Sequence, residues 1–165
     1  MNKTIFKAMA VSAAAMAAMT STAAHADTAE AVATAEILQQ VTVESDGSAL
    51  NFGTIVVGDT GGDVVISAAG ALSACDANLV CSGTVSAAGF DVTGTTGETV
   101  DITVDNNVTL TNNDGDSMTA ALSGSDATLV LAGGDSFAVG GTLTVGDSQA
   151  DGAYSGTFEV TVDYQ

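Results

Sequence analysis

From Tyr154 onward, large apolar and small or polar side chains alternate. Tyr154, Phe158, Val160, Val162 and Tyr164 share one parity, with Gly156 the one gap in the set. Ser155, Thr157, Glu159, Thr161 and Asp163 share the other. Period two is the pattern of a strand with one buried face. No stretch follows it to pair its far edge, and an unpaired apolar edge is a liability unless another chain covers it. The reading at this point is a subunit that is completed by a partner.

The same alternation recurs upstream in shorter pieces. Leu38–Glu44 alternates weakly, and Leu50–Val57 (LNFGTIVV) strongly, with Gly53 inside it as a bulge or close backbone approach. Gly58–Gly62 turns the chain and Asp63–Ala68 returns it, which predicts a hairpin. The pattern is lost from Ala69 to Ala88. Further strands are predicted at Phe90–Val92, Val100–Val104, Val108–Thr111, Met118–Leu122 and Thr128–Leu131. Phe137–Val145 follows, with Gly140 and Gly141 predicting a bulge or kink, and Gly146–Asp151 is the last turn. Short strands separated by Gly, Asn and Asp turns predict an all-β sandwich or barrel. The absence of proline and the abundance of Val and Thr agree with that and oppose helix.

The first 26 residues follow a different grammar. MNKTIF is basic, Phe6–Met19 is apolar, and Ala24-His25-Ala26 is a small-x-small cleavage site, the three regions of a signal peptide in order. The apolar run is too short and too alanine-rich for a membrane span. The expectation is export across the inner membrane, to the periplasm, the cell surface or an extracellular fibre. A signal peptide over residues 1–26, an extension over 27–37 and one β-sandwich domain over 38–165 are the expected divisions.

Removal of that segment changes the charge. Lys3, Lys7 and His25 are the only basic side chains of the chain, and all 20 acidic residues follow them. Residues 27–165 therefore carry about −20 with no cation. Such a chain cannot hold nucleic acid phosphates or an anionic membrane through Lys or Arg. It forms no internal salt bridges, and its solubility comes from self-repulsion.

The same lack of cations excludes most catalysis. Without His, Lys or Arg there is no Ser/His/Asp or Cys/His relay, and the chain is read as no enzyme. Cys75 and Cys81, six apart, do not make a zinc set. In an exported chain they are expected to form a disulfide, with free redox thiols as the alternative. The hard oxygens of Asn112, Asn113, Asp114 and Asp116 around Gly115 are the one calcium candidate, though they lack the bidentate Glu of an EF-hand loop. A solvated hairpin tip explains the same residues. No other cofactor is expected.

Asp27–Ile37 (DTAEAVATAEI) lacks turn residues and puts Ala29, Ala31, Ala33, Ala35 and Ile37 on one parity. It reads as a disordered tail or as a strand held for donation to a neighbouring copy.

Two resemblances attach to these residues. LNFGTI (Leu50–Ile55), GGTLTV and the closing YSGTFEVTVDYQ resemble the bacterial family named domain of unknown function 4402, over essentially all of the exported chain. That family name implies no activity. The end of the chain is also similar to chaperone–usher pilins, which close on a strand with a glycine fourteenth from the end and a penultimate tyrosine. Gly152 and Tyr164 hold those positions. The pilin resemblance implies an immunoglobulin-like sandwich short of one strand. It also implies a periplasmic chaperone and an outer-membrane usher as partners. Gly152, Phe158, Val160, Val162 and Tyr164 would then be the pairing residues, and Asp27–Ile37 the extension that fills the next subunit's groove. The chain departs from such pilins in its small alanine side chains and its closely spaced cysteines. The reading favoured is an exported structural subunit that self-associates by β-strand addition. A self-contained secreted or periplasmic binding module, calcium-dependent in one version, is the alternative.

Overall fold

The computed structural model describes residues 27–165. The expected signal peptide lies outside them. The chain divides into two compact units at Ala35/Glu36. The described part of the first, Asp27–Ala35, has neither helix nor strand and is exposed at every residue. All twelve strands of the described residues belong to the second unit.

That unit is an antiparallel β-sandwich. Its larger sheet contains β1 (Thr42–Ser45), β3 (Gly62–Ile66), β4 (Leu72–Cys75), β6 (Ala88–Thr93), β8 (Asn107–Thr111), β9 (Ser117–Gly124) and β11 (Asp135–Val145). The facing sheet is β10 (Thr128–Val130), β7 (Thr99–Val104) and β12 (Val160–Tyr164), in that order. The remaining pair, β2 (Thr54–Val57) with β5 (Leu79–Ser82), is a separate two-stranded ladder.

β11 organises the larger sheet. Asp135–Val139 pairs with β6, Gly141–Val145 with β3, and Val139–Thr144 with β9. Phe137, Val139, Leu143 and Val145 keep one parity and are buried throughout. The register with β9 runs unbroken across Gly140 and Gly141, so the expected bulge is absent there. Close approach explains the pair instead. A Cβ at Gly140 would collide with the Ile66 carbonyl, and one at Gly141 would lie 2.8 Å from the Ala121 carbonyl. These are the points where β11 exchanges one neighbour for another.

Two further expectations need correction. β2 and β3 do not form a hairpin, since β2 pairs with β5 while β3 pairs with β11 and β4. The connecting turn docks on the end of β11, where Gly61 admits the Val145 carbonyl and donates its N–H to the Asp147 carboxylate at 2.7 Å. This steers β3 away from β2. The stretch Ala69–Ala88, where the pattern is lost, also contains two strands, β4 and β5.

Chain order gives the topology. β1, β6, β11 and β9 lie side by side as strands A, B, E and D of an immunoglobulin sandwich do, and β7 and β12 face them as C and F. The place beside F, which strand G fills in such a sandwich, holds no strand among the described residues. The core has two parts. One gathers around Val64, Ile66 and Leu143, and the other around Val92, Val100 and Val139. Leu50, Leu122 and Phe158 pack against both, and Phe90 stacks on Phe137 and meets Phe158 edge-on.

Candidate functional site

The terminal strand is shorter than its alternation. Only Val160–Tyr164 forms a ladder, with β7, and Ser155 makes one bridge to Thr111. Gly156 comes so close to β8 that a Cβ would collide with the Thr109 carbonyl. The alternation still governs burial: Tyr154, Phe158, Val160, Val162 and Tyr164 are all wholly or partly buried, and the residues between them are exposed.

The β12–β7 ladder fixes which backbone groups remain available. Asp105 donates its N–H to the Glu159 carbonyl, and Gln165 donates to Thr99, each at 3.1 Å. In an antiparallel pair the residues bonded to the partner alternate with residues that face the other way. Glu159, Thr161, Asp163 and Gln165 therefore bond toward β7. Val160, Val162 and Tyr164 turn their N–H and C=O groups to the far edge. A check comes from β7 itself, whose Ile102 donates to Ala127 on the β10 side, as this parity requires. No strand of the described residues pairs with that far edge.

Along the line leading into β12 runs a groove. Its wide part, ≈ 910 Å³, lies between Leu50–Val57 and Ser148–Tyr154 over a floor that includes Phe52, Leu110, Met118 and Leu143. A narrower part, ≈ 340 Å³, continues between Ser45–Leu50 and Gly156–Phe158, with Phe90 and Val108 at its base. Leu50, Phe52 and Leu110 line both. Gly53 forms part of the wall, with φ +77° and its α-carbon so near Ser82 that a Cβ would sit 2.5 Å from that carbonyl. The close approach expected of Gly53 is what the fold uses.

Tyr164 ends β12 and packs against the second part of the core. Its hydroxyl donates to the Gln39 carbonyl and accepts the Thr95 N–H, both at 2.7 Å, while Gln39 donates its own N–H to Thr95 Oγ1. Gly94 makes room, since a Cβ there would lie 2.6 Å from the tyrosine oxygen. The penultimate tyrosine thus ties the domain's first residues to the β6–β7 turn.

The calcium candidate is a turn that uses two of its own side-chain oxygens, Asn112 Oδ1 and Asp116 Oδ2. Asn112 Oδ1 accepts the N–H groups of Asp114 and Asp116, at 3.0 and 2.8 Å. Its Nδ2 donates to Asp116 Oδ2 and to the Tyr154 hydroxyl. Tyr154 in turn donates to the Ala150 carbonyl and accepts from Gln149. Asn113 and Asp114 are exposed, and no group of three or more His, Cys, Asp or Glu gathers among the described residues. Asn112 is the one buried polar side chain there, and it locks the β8–β9 tip to the groove wall. Gly152 belongs to the same lock, with φ +144° and a Cβ position 3.3 Å from Asn112 Nδ2. Asn112→Ala should cost about 2–3 kcal/mol in urea unfolding, because two backbone amides and the tyrosine lose a buried partner. An unchanged midpoint would refute the lock.

Cys75 and Cys81 are disulfide-bonded, and they lie in two strands, β4 and β5, of the stretch where the alternation fails. Of the expected donor residues, Ala29, Ala31, Ala33, Ala35 and Ile37 are all exposed and lie in no strand. No helix of the described residues is long and apolar enough to cross a membrane.

Residues 40–164 match the family described as Domain of unknown function (DUF4402), and the chain belongs to that family. It matches none of the curated proteins compared with it.

Proposed function

We propose that this member of the DUF4402 family is an exported, non-enzymatic structural subunit that joins copies of itself by β-strand addition, building a surface fibre or layer. The observation that carries this reading is the far edge of β12. Val160, Val162 and Tyr164 offer backbone donors and acceptors at every second residue, in the place a sandwich of this topology gives to its last strand. An extended segment laid there would satisfy those groups and cover the apolar groove at once.

Asp27–Ile37 of a neighbouring copy is the occupant. It is fully exposed, free of turn residues, and places Ala29, Ala31, Ala33, Ala35 and Ile37 on one parity, with Val32 on the other. At ~3.3 Å per residue its eleven residues reach about 36 Å as a strand. Alanine brings little apolar area, about one methyl group each, so main-chain hydrogen bonds supply most of the affinity and the alternation supplies the register. Ile37 is the exception and contributes the most burial. The chaperone and usher implied by the pilin resemblance would guard the groove before copies meet.

Both partners are polyanions, so joining is opposed by charge and favoured by screening. Size-exclusion chromatography and negative-stain microscopy of the purified protein should show polymers at physiological salt and fewer at low salt. A protein that stays monomeric at high concentration and ample salt would refute the reading.

A further inference from the structure

We propose that the Cys75–Cys81 disulfide is a clamp on one wall of the groove, so that accepting a strand depends on that bond while the rest of the sandwich does not. The inference rests on the strand-addition reading above and concerns what keeps its site open and shaped.

The argument is topological. The wall Thr54–Val57 is β2, and its one ladder partner is β5. Neither strand hydrogen-bonds into the two larger sheets through a ladder, since the pair stands as a sheet of its own. The wall's backbone is therefore anchored through β5, while its inner side chains, Ile55 and Val57, pack on the first part of the core. Upstream of β5, the chain reaches the larger sheet through β4, which pairs with β3. Cys75 ends β4 directly opposite Val64, a fully buried residue at the centre of the core. Cys81 lies in β5 directly opposite Ile55, which lines the wide part of the groove. The covalent path Cys75–Cys81 thus connects a core position to a wall position across the Asp76–Asn78 turn.

What remains without the bond is the packing of Ile55, Val57 and Leu79 on the core and a few turn contacts. The turn has the Leu79 N–H donated to the Asp76 carbonyl, and Asn78 Nδ2 donates to the Gly61 carbonyl at 3.4 Å. Leu79 is buried, but its neighbour Val80 is 63% exposed and stands opposite Val56, itself 58% exposed. A two-stranded ladder buried on one face only is marginal by itself. Closing a loop of only six residues stabilises the whole fold less than closing a long one. A local role suits so short a span better than a global one. β7, β12 and the second part of the core have no link to the β2–β5 pair through any ladder, so opening it leaves them standing.

The test uses the purified protein and a fluorescent synthetic peptide of residues 27–37, with binding read by anisotropy. Three forms are compared: the oxidised protein, the protein treated with dithiothreitol, and the double variant Cys75→Ser/Cys81→Ser. In the second, the Sγ–Sγ bond breaks, two electrons and two protons pass from the reagent to give two thiols, and the reagent leaves as its cyclic disulfide. The oxidised protein should bind, and the other two should bind about tenfold more weakly or worse, because the wall must be ordered at binding. Far-UV circular dichroism and amide exchange in β7 and β12 should be unchanged among the three. Equal affinity in all three forms overturns the clamp and leaves strand addition intact. Loss of the strand spectrum, or of β7 and β12 protection, on reduction and in the variant also overturns it, since the bond would then be a staple of the whole fold. No binding by the oxidised protein overturns the strand-addition reading and the clamp with it.

Discussion

Val160→Pro should give a folded protein that no longer joins copies. Val160 heads β12 and directs its N–H to the far edge, away from β7, so proline there removes no bond of the β12–β7 ladder. Proline is tolerated on an edge strand when the missing N–H faces outward, and at the first residue of a strand. The side chain is half-buried, so the substitution loses some packing, about 1 kcal/mol. For an incoming strand the loss is larger. A donor disappears from the accepting edge, and the ring projects where a neighbour's backbone must lie. Thr161→Pro is the matched control. Its N–H points to β7, so proline there breaks the ladder and leaves a Thr103 carbonyl unpaired, costing about 1–3 kcal/mol. The expected pattern is a monomer with near-native melting for Val160→Pro and a destabilised protein for Thr161→Pro. If Val160→Pro polymerises as the parent does, β12 is not the accepting edge.

That contrast follows from one parity, and the parity was legible in the sequence. The alternation from Phe158 to Tyr164 placed the apolar face correctly, and strands near β7, β8, β9, β10 and β11 were read from the same grammar. What the sequence did not show has physical causes. β4 and β5 were invisible because Leu72 and Val80 are exposed and only Cys75 in β4 and Leu79 and Cys81 in β5 turn inward, too short an alternation to stand out. The pairing of β2 was misjudged because the Gly58–Gly62 turn docks on β11, and a turn's composition does not disclose what it docks against. Tyr154–Glu159 looked like strand because its side chains alternate in burial, yet Gly152 and Gly156 bring that segment against Asn112 and Thr109 and leave a single bridge.

The candidate site was legible in part. Phe158, Val160, Val162 and Tyr164 were named from period two; Phe158 lines the narrow part of the groove, and Val160, Val162 and Tyr164 pack into the second part of the core. The groove's other wall, Leu50–Val57, reads from the sequence only as a strong strand. Its exposure to the cleft arises from pairing with β5 instead of the main sheet, a long-range choice that local pattern does not carry. The Asn112 cluster shows the opposite case. Oxygen-rich turn chemistry suggested an ion, and the fold uses Asn112 Oδ1 to hold two of the turn's own amides and Asp116 Oδ2 to hold Asn112.

Deletion of residues 27–37 should abolish polymers and leave a folded monomer. In the described structure these residues are exposed and lie in no strand, so little native stability depends on them, and a shift of more than about 0.5 kcal/mol is not expected from surface residues of this kind. Assembly is a different matter. If the segment supplies the strand that pairs with the β12 edge of the next copy, its loss removes every main-chain bond of the joint together with the burial of Ile37, worth about 1.5–3 kcal/mol. Ala33→Arg separates composition from length. The segment stays whole, but a cation must enter an apolar groove, where it has no partner and a large desolvation cost. A general effect of reducing negative charge would favour joining by lowering repulsion, so loss of polymers in Ala33→Arg can come only from the groove. Thr34→Arg, one residue on, adds the same charge on the opposite parity and should polymerise as well as the parent or better. Sedimentation velocity on the three variants reads the outcome. Polymers from the deletion would show that the tail is not the donor. Equal behaviour of Ala33→Arg and Thr34→Arg would show that the tail does not enter the groove as a strand, because period two is what distinguishes them.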